Sequence, residues 1–366
     1  MTTHWPIPLP ALTLLLALAP TVLPPVHAAT FCVDDANELQ ITLQAAMSNG
    51  ESDVIRIEAG IYRSTSPDGF VANNFSSQPY NLEISGGWTS NCQLLLPGQR
   101  STIDGELERP GLMLYGSLDV RGQVLIRNMQ FIRGLSENPL RAGGLTINRG
   151  YDIVIESSLF RQNIHRHANG TASGGLYVAS EGSISIRGNL FVDNDADTPQ
   201  TFAAGAAMLS CGTFNGSAHF NSNTVTGNTA DLGASTDIGG VRVHGVPNCA
   251  WTIANNILWD NAGLDLAIHV ANTNLRYNDI DDLGGSHPPA TSIGNLSVNP
   301  RFVSATSFRL QRSSPLIDAG MNGPVGGLPA ISFDGGPRVV GSRVDIGAYE
   351  LDQIMVNGFD LSGFGF

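Results

Sequence analysis

The chain has 366 residues, a net charge of −13, 42 glycines, 14% charged residues and no lysine, so all 19 of its basic residues are arginine. The missing lysine excludes a Walker A loop, a Schiff-base enzyme and a lysine general base. The acidic balance argues against a nucleic-acid binder, which needs a basic face for phosphate.

The first element is an apolar run, Leu12 to Leu23, followed by Val26-His27-Ala28. It reads as a signal peptide over residues 1–28, with cleavage before Ala29. The run is short and contains Pro20, Pro24 and Pro25, so a membrane anchor is the poorer reading. Cys32, Cys92, Cys211 and Cys249 remain in the exported chain, an even count that favours two disulfides. Proximity in sequence favours Cys32–Cys92 and Cys211–Cys249. Their wide spacing argues against a zinc site.

Residues 29–52 form an N-terminal cap. Within it, Leu39, Leu43 and Met47 follow helical spacing through Asp35–Ser48. Such a helix can cover the open edge of a sheet.

From residue 53 to 296 the chain repeats. Segments starting at Ile126, Ile155, Ile186, Phe220, Ile253 and Leu275 are 29, 31, 34, 33 and 22 residues apart. Five positions after each start comes a second apolar residue: Phe131, Phe160, Phe191, Val225, Leu258 and Ile280. Three positions after the start, Asn189, Asn223, Asn256 and Asn278 recur; eight after it, Asn163, Asn194, Asn228 and Asn261 recur. Gly143-Gly144, Gly174-Gly175 and Gly239-Gly240 open further strand-like segments, with Gly205-Ala206 as a degenerate copy. The local period is two, and each repeat holds about three short strands. No such unit buries its apolar face alone, so the repeats must stack. The expected fold is all-β, a parallel β-helix with coils about 4.8 Å apart. Aligned Asn side chains should form hydrogen-bonded ladders along the stack. A β-propeller fits less well, because its blades need about 40 residues or more.

After residue 296 the repeat stops. Residues 297–350 read as an irregular, Gly/Pro-rich C-terminal cap and 351–366 as a tail. Asp318, Asp334, Arg338, Arg343, Asp345 and Glu350 are expected to form the salt-bridged part of that cap.

Phe160-Arg-Gln-Asn163 and Phe191-Val-Asp-Asn194, with the Gly-Gly pairs, resemble the FxxN and GGA[ILV] repeats of polymorphic outer membrane proteins. Asp53–Gly60, Ile84–Trp88, Ser314–Gly320 and Val344–Glu350 are similar to the flanking segments of secreted bacterial β-helix proteins. The resemblance covers most of residues 30–350. It implies a right-handed, pectin lyase-like β-helix, exported to the cell surface or outer membrane, with the periplasm as an alternative.

Chemistry is expected where turns stack. The loop after each FxxN copy carries His165, Arg166 and His167, then Asp195 and Asp197, then Asp231 and Asp237, then Asp265. Carboxylates beside Arg and His can bind a sugar or perform acid–base work. Arg166, Asp195 and Asp260 are the catalytic candidates, and Asp193 shares a repeat position with Asp260 two coils on. The alternation Asp193-Asn-Asp195-Ala-Asp197 offers oxygen ligands for Ca²⁺. Solvated turn residues account for the same pattern. Trp88, Trp251 and Trp259 could stack on sugars, with Trp88 expected near Cys92. The favoured function is a surface β-helix that binds carbohydrate or another surface ligand without turnover. The second reading is a polysaccharide lyase or glycoside hydrolase acting on an extracellular polysaccharide.

Overall fold

The computed structural model describes residues 1, 29–74, 80–117, 122–148, 150–167, 173–197, 203–212, 216–230 and 237–351. Residues 2–28 of the proposed signal segment, Asp231 and all of the tail after Leu351 lie outside the described residues.

The chain winds as an all-β parallel β-helix. A ten-stranded sheet runs from Ala29–Val33 to Thr291–Ile293. Two eight-stranded sheets run from Ile61–Tyr62 to Asp279–Ile280 and from Phe70–Asn74 to Leu283–Gly285. A narrow fourth sheet, Leu135–Ser136 to Thr229–Ala230, fills one corner over four coils. Within all four, every strand pairs in parallel with the same strand of the next coil.

The register is the one the repeats predict. Ile126, Ile155, Ile186, Phe220, Ile253 and Leu275 are successive partners in the first sheet. Phe131, Phe160, Phe191, Val225, Leu258 and Ile280 are successive partners in the second. All twelve side chains belong to one buried core. Phe131, Phe160 and Phe191 stack face to face, with centroids 5.2 and 4.7 Å apart. Coil spacing therefore suits offset aromatic stacking, which adds to the burial energy.

Two asparagine ladders hold the corners. Asn194 Nδ2 donates to Asn228 Oδ1 at 2.8 Å and to Phe160 O at 2.9 Å. Its own Oδ1 accepts from Asn163 N and Nδ2 at 3.2 and 2.9 Å. The same pattern links Asn189, Asn223, Asn256, Asn278 and then Asn295 at the other corner. Asn163, Asn194, Asn228, Asn189, Asn223, Asn256 and Asn278 are fully buried. The Gly-Gly pairs pack against the corner ladder. A Cβ on Gly144 would lie 2.4 Å from Gly175 O and 3.0 Å from Asn163 Nδ2, so only glycine admits the approach.

The helix Ala36–Ala46 is N-capped by Asp35, whose side chain accepts from Glu38 N. Leu39, Leu43 and Ala46 are buried beneath it. Gln40 Nε2 donates to Val71 O, and Gln40 Oε1 accepts from Val71 N. One amide thus covers the free edge of the strand Phe70–Asn74 as a further strand would. The cysteines sit at disulfide distance in the expected pairs, with Cα separations of 5.6 Å for Cys32–Cys92 and 6.3 Å for Cys211–Cys249. No helix among the described residues is long and apolar enough to cross a membrane.

The C-terminal segment does its covering on the flank. After a short antiparallel hairpin, Phe302–Ser304 with Ser307–Leu310, the chain doubles back over the outer face of the second sheet. Leu316 and Ile346 pack on Ile257, while Phe333 and Ala348 pack on Leu190 and Val192. Asn255 and Asn221, at the outer corner, bond to Met321 and to Val325 and Gly327. Phe333 reaches as far as Arg100, whose guanidinium lies 3.5 Å over its ring. At the far end, Leu283–Gly285 and Thr291–Ile293 have no further strand beside them among the described residues, and Leu283 and Ile293 are 43% and 45% exposed.

The expected charged cluster closes this strap. Arg338 is buried and donates to Glu350 Oε2 at 2.6 Å and to Asp345 O and Gly347 O. Asp345 accepts from Asp318 N and Leu351 N. Arg343 instead lies over the Tyr277 ring, and Asp334 pairs with Arg309. Burial, reinforced by the Asp345 charge, pushes the Glu350 carboxyl up to about 7 against its backbone bonds and Arg338.

Two outcomes test this account. Asn194→Leu should destabilise the fold by about 3 kcal/mol, because it strands buried donors and acceptors on both neighbouring coils; denaturant unfolding measures it. Between about pH 4.3, the unfolded Glu value, and about pH 7, the folded chain retains a Glu350 proton that the unfolded chain releases. Stability from this group is therefore complete at low pH and is lost as pH rises through 7. The thermal midpoint should fall from pH 5 to pH 8, and Glu350→Gln should flatten that fall.

Candidate functional site

Among the described residues, the turn residues predicted from the repeats meet in separate pairs, Arg166 with Asp197 among them, and form no single cluster. Asp193 and Asp260 occupy the third FxxN position, where the backbone is left-handed at φ 55° and 59°. Gln162 in the preceding copy and Gly227 in the copy between them take the same conformation. This turn carries the chain around the corner, so Asn194 points into the ladder while Asp193 stays outside on the second-sheet side. Asp193 Oδ2 lies 3.5 Å from Arg161 Nε. Asp195 faces outward on the fourth sheet and accepts from Thr229 Oγ1 at 2.7 Å. Asp197 Oδ2 accepts from Arg166 Nε at 2.9 Å, across adjacent coils. Each aspartate is thus held by a different neighbour. Among the described residues, the groups of three or more metal-type side chains with ligand atoms within 4.8 Å do not include Asp193, Asp195 or Asp197. The expected calcium chelate is not assembled there, because the left-handed turn at Asp193 sets its carboxylate apart and Asp195 and Asp197 are each drawn to a different neighbour.

His165 departs from expectation most clearly. It is fully buried in the fourth sheet, and its Nδ1 is 2.9 Å from Arg141 O. Burial pushes its pKa down to about 4, so the ring is neutral at pH 7. Its position follows from the two-residue strand Ile164–His165, which turns the second residue inward where the later coils carry Ala196 and Ala230. His167 and Asp237 are half-buried and have partners. Trp251 is fully buried in the core, where it cannot meet a sugar. Trp88 lies beside the Cys92 region, with Arg56 4.4 Å over its ring and Arg56 Nη1 donating to Cys92 O.

Asp260 and Trp259 meet a different set of partners. Leaving the last coil, the chain turns at Asn299-Pro300-Arg301 and enters the hairpin. Asn299 Oδ1 accepts from Arg301 N at 2.8 Å, and Arg301 adopts φ 56°. Arg301 Nη1 donates to Ser313 O, and Gln311 Nε2 donates to Phe302 O at 2.9 Å. Phe302 is braced edge-on by Phe308, 5.6 Å away. Between the hairpin and the coil lies a cleft of about 560 Å³. Thr226, Trp259 and Asp260 form one wall; Asn299, Arg301, Phe302 and Gln311 form the other. Trp259 is half-buried, leaving part of the indole open, while Asp260, Asn299, Arg301 and Gln311 are exposed.

This site combines an aromatic platform with four planar polar side chains that can pair with hydroxyls. Asp260 and Trp259 were legible as candidates in the sequence. The hairpin wall was not, since nothing local to residues 299–311 shows that they fold against Trp259. A second cleft, of about 470 Å³, opens at the start of the fourth sheet near Asp68, Glu108, Glu137 and Arg141. It carries no aromatic ring among its lining residues, and Arg141 is tied to Asp68. No known protein-family model matches the chain, and no characterised protein matches it in sequence.

Proposed function

We propose that the protein is an exported β-helix that binds a neutral carbohydrate, without turnover, in the cleft between Trp259 and the 302–310 hairpin. The observation that carries this reading is the pairing of Trp259 and Phe302 with Asp260, Asn299, Arg301 and Gln311 around one open volume. An indole offers an apolar face to the C–H side of a sugar ring, and planar amide, carboxylate and guanidinium groups match its hydroxyls. Asp260 and Arg301 balance each other, and the −13 net charge disfavours acidic glycans. Export is supported by the signal-like residues 1–28 and by two cysteine pairs at bonding distance. The FxxN and Gly-Gly repeats, similar to those of polymorphic outer membrane proteins, support a place at the cell surface.

One observation favours hydrolysis as the second reading. Asp193 and Asp260 stand two coils apart, about 10 Å at the backbone. Gly227 lies between them, and a Cβ there would come within 3.0 Å of Asp193 Oδ1, so that carboxylate leans over the gap. An inverting glycosidase places its carboxyl groups about 6.5–9.5 Å apart. Against it, Asp260 is the one carboxylate among the residues lining the cleft, and Asp193 is engaged by Arg161.

Titration calorimetry of the secreted chain with neutral oligosaccharides tests the proposal. Trp259→Ala should weaken binding by about tenfold or more, as loss of a central aromatic contact does. Unchanged affinity in that variant would sink the cleft as the binding site. New reducing ends that vanish in Asp260→Asn would replace binding with hydrolysis.

A further inference from the structure

Three histidines stand on three consecutive coils where the third sheet, Phe70–Asn74 to Leu283–Gly285, comes to its end. In the strand Val241–Gly245, Val241 and Val243 belong to the core, so Arg242 and His244 face outward. In the strand Leu266–His269, Leu266 and Ile268 belong to the core, so Ala267 and His269 face outward. His244 and His269 are direct register partners, which sets them one coil apart, about 4.8 Å at the backbone. The next coil pairs Gly285 with Ile268 and carries Ser286 and His287 up beside His269. His287 N donates to Ile268 O at 3.1 Å. The winding that aligns amides at the corners aligns imidazoles here.

The two nitrogens of the half-buried His269 ring stand in different states. Nδ1 lies 3.1 Å from Ser286 Oγ. Nε2 is out of solvent and has no hydrogen-bond partner. An imidazole that donates through Nδ1 to a neighbouring oxygen carries its lone pair on Nε2, and metal-bound histidines are oriented in this way. A buried nitrogen left unmet costs free energy that a bound ion would recover. Burial, with the charges of Arg242, His244 and His287, holds the His269 pKa down to about 4, and burial with Arg242 lowers that of His244. Both rings are therefore neutral at pH 7, as ligands must be. His244 and His287 are exposed, and neither side chain has a hydrogen-bond or ion-pair partner among the described residues. The nitrogens of the three rings are not gathered within 4.8 Å of one another, so the two exposed rings must turn to meet an ion at His269 Nε2.

We propose that His244, His269 and His287 bind a divalent transition-metal ion of the Cu²⁺ and Zn²⁺ class on the outer face of the third sheet. Neutral imidazoles select such ions over Ca²⁺ and Mg²⁺, which take oxygen ligands. Three protein ligands leave a further coordination position to water. Arg242 faces outward two residues before His244, and its charge opposes the ion, so affinity rests on all three rings. The ion ties the last coil, which has no further strand beside it among the described residues, to the two coils before it. This site is separate from the carbohydrate cleft and does not depend on that reading.

The secreted chain, stripped with a chelator and titrated with CuSO₄ and with ZnCl₂, tests the proposal. Calorimetry should show one site for either ion, tighter for Cu²⁺ than for Zn²⁺, as the general order of affinities requires. Electron paramagnetic resonance of the Cu²⁺ form should show coupling to imidazole nitrogen. The double variant His244→Asn/His287→Asn changes exposed side chains only, so the coil should still fold. It should bind about tenfold more weakly or worse, since even the loss of a group that only orients a ligand costs that much. His167→Asn, beside the fourth sheet, should bind as the unaltered chain does. The proposal is overturned if the Cu²⁺ spectrum lacks imidazole coupling, or if the His244/His287 variant binds both ions as tightly as the unaltered chain.

Discussion

The buried asparagine amide is the interaction on which the rest of the molecule depends. A primary amide out of water must satisfy both its donors and its acceptor, or it costs more than it contributes. Inside the corners of this solenoid its partners are the identical amide of the next coil and a backbone carbonyl. The arrangement closes only when every coil is in register. A slip of one residue would turn every core side chain outward and strand every amide. The ladders therefore fix the winding, and the hydrophobic rows supply its energy.

Other features follow from that register. Coils locked at one spacing bring like residues together, so phenylalanines stack on phenylalanines and glycines meet carbonyls too closely for any Cβ. They also leave two ends. The N-terminal end is covered by the helix Ala36–Ala46, with Gln40 pairing an exposed strand edge. At the other end the ladder finishes on a carboxylate, Asp265, in place of an amide. A carboxylate can accept but not donate, so the stack stops there and leaves a charge behind.

The flank and the interior divide the work. Inward positions are spent on packing, which is why Trp251 and His165 are unavailable to a ligand despite residue types suited to one. Outward positions of the second sheet are free only where the returning C-terminal segment leaves them so. That segment seals the outer face of the second sheet over Ile257, Leu190 and Val192, then stands away at the 302–310 hairpin. The cleft beside Trp259 is the space left where covering ends.

The sequence by itself determined the solenoid. Period-two strands, recurring Ile and Phe, and asparagines at two repeat positions are local signals, and stacking can satisfy them in one register only. It also favoured, by proximity alone, the pairing of the four cysteines that the structure places at disulfide distance, 60 and 38 residues apart. Tertiary structure alone decided the site. Asp193, Asp195 and Asp197 alternate along the sequence, but a left-handed turn sets Asp193 apart and each finds a different partner. Asp260 and Trp259 gain their neighbours from residues 299–311, whose path depends on where the returning segment can bury Leu316, Phe333 and Ile346. A repeat encodes contacts at a fixed separation along the chain. A segment that folds back over the repeat makes contacts at no fixed separation, so only packing could place them.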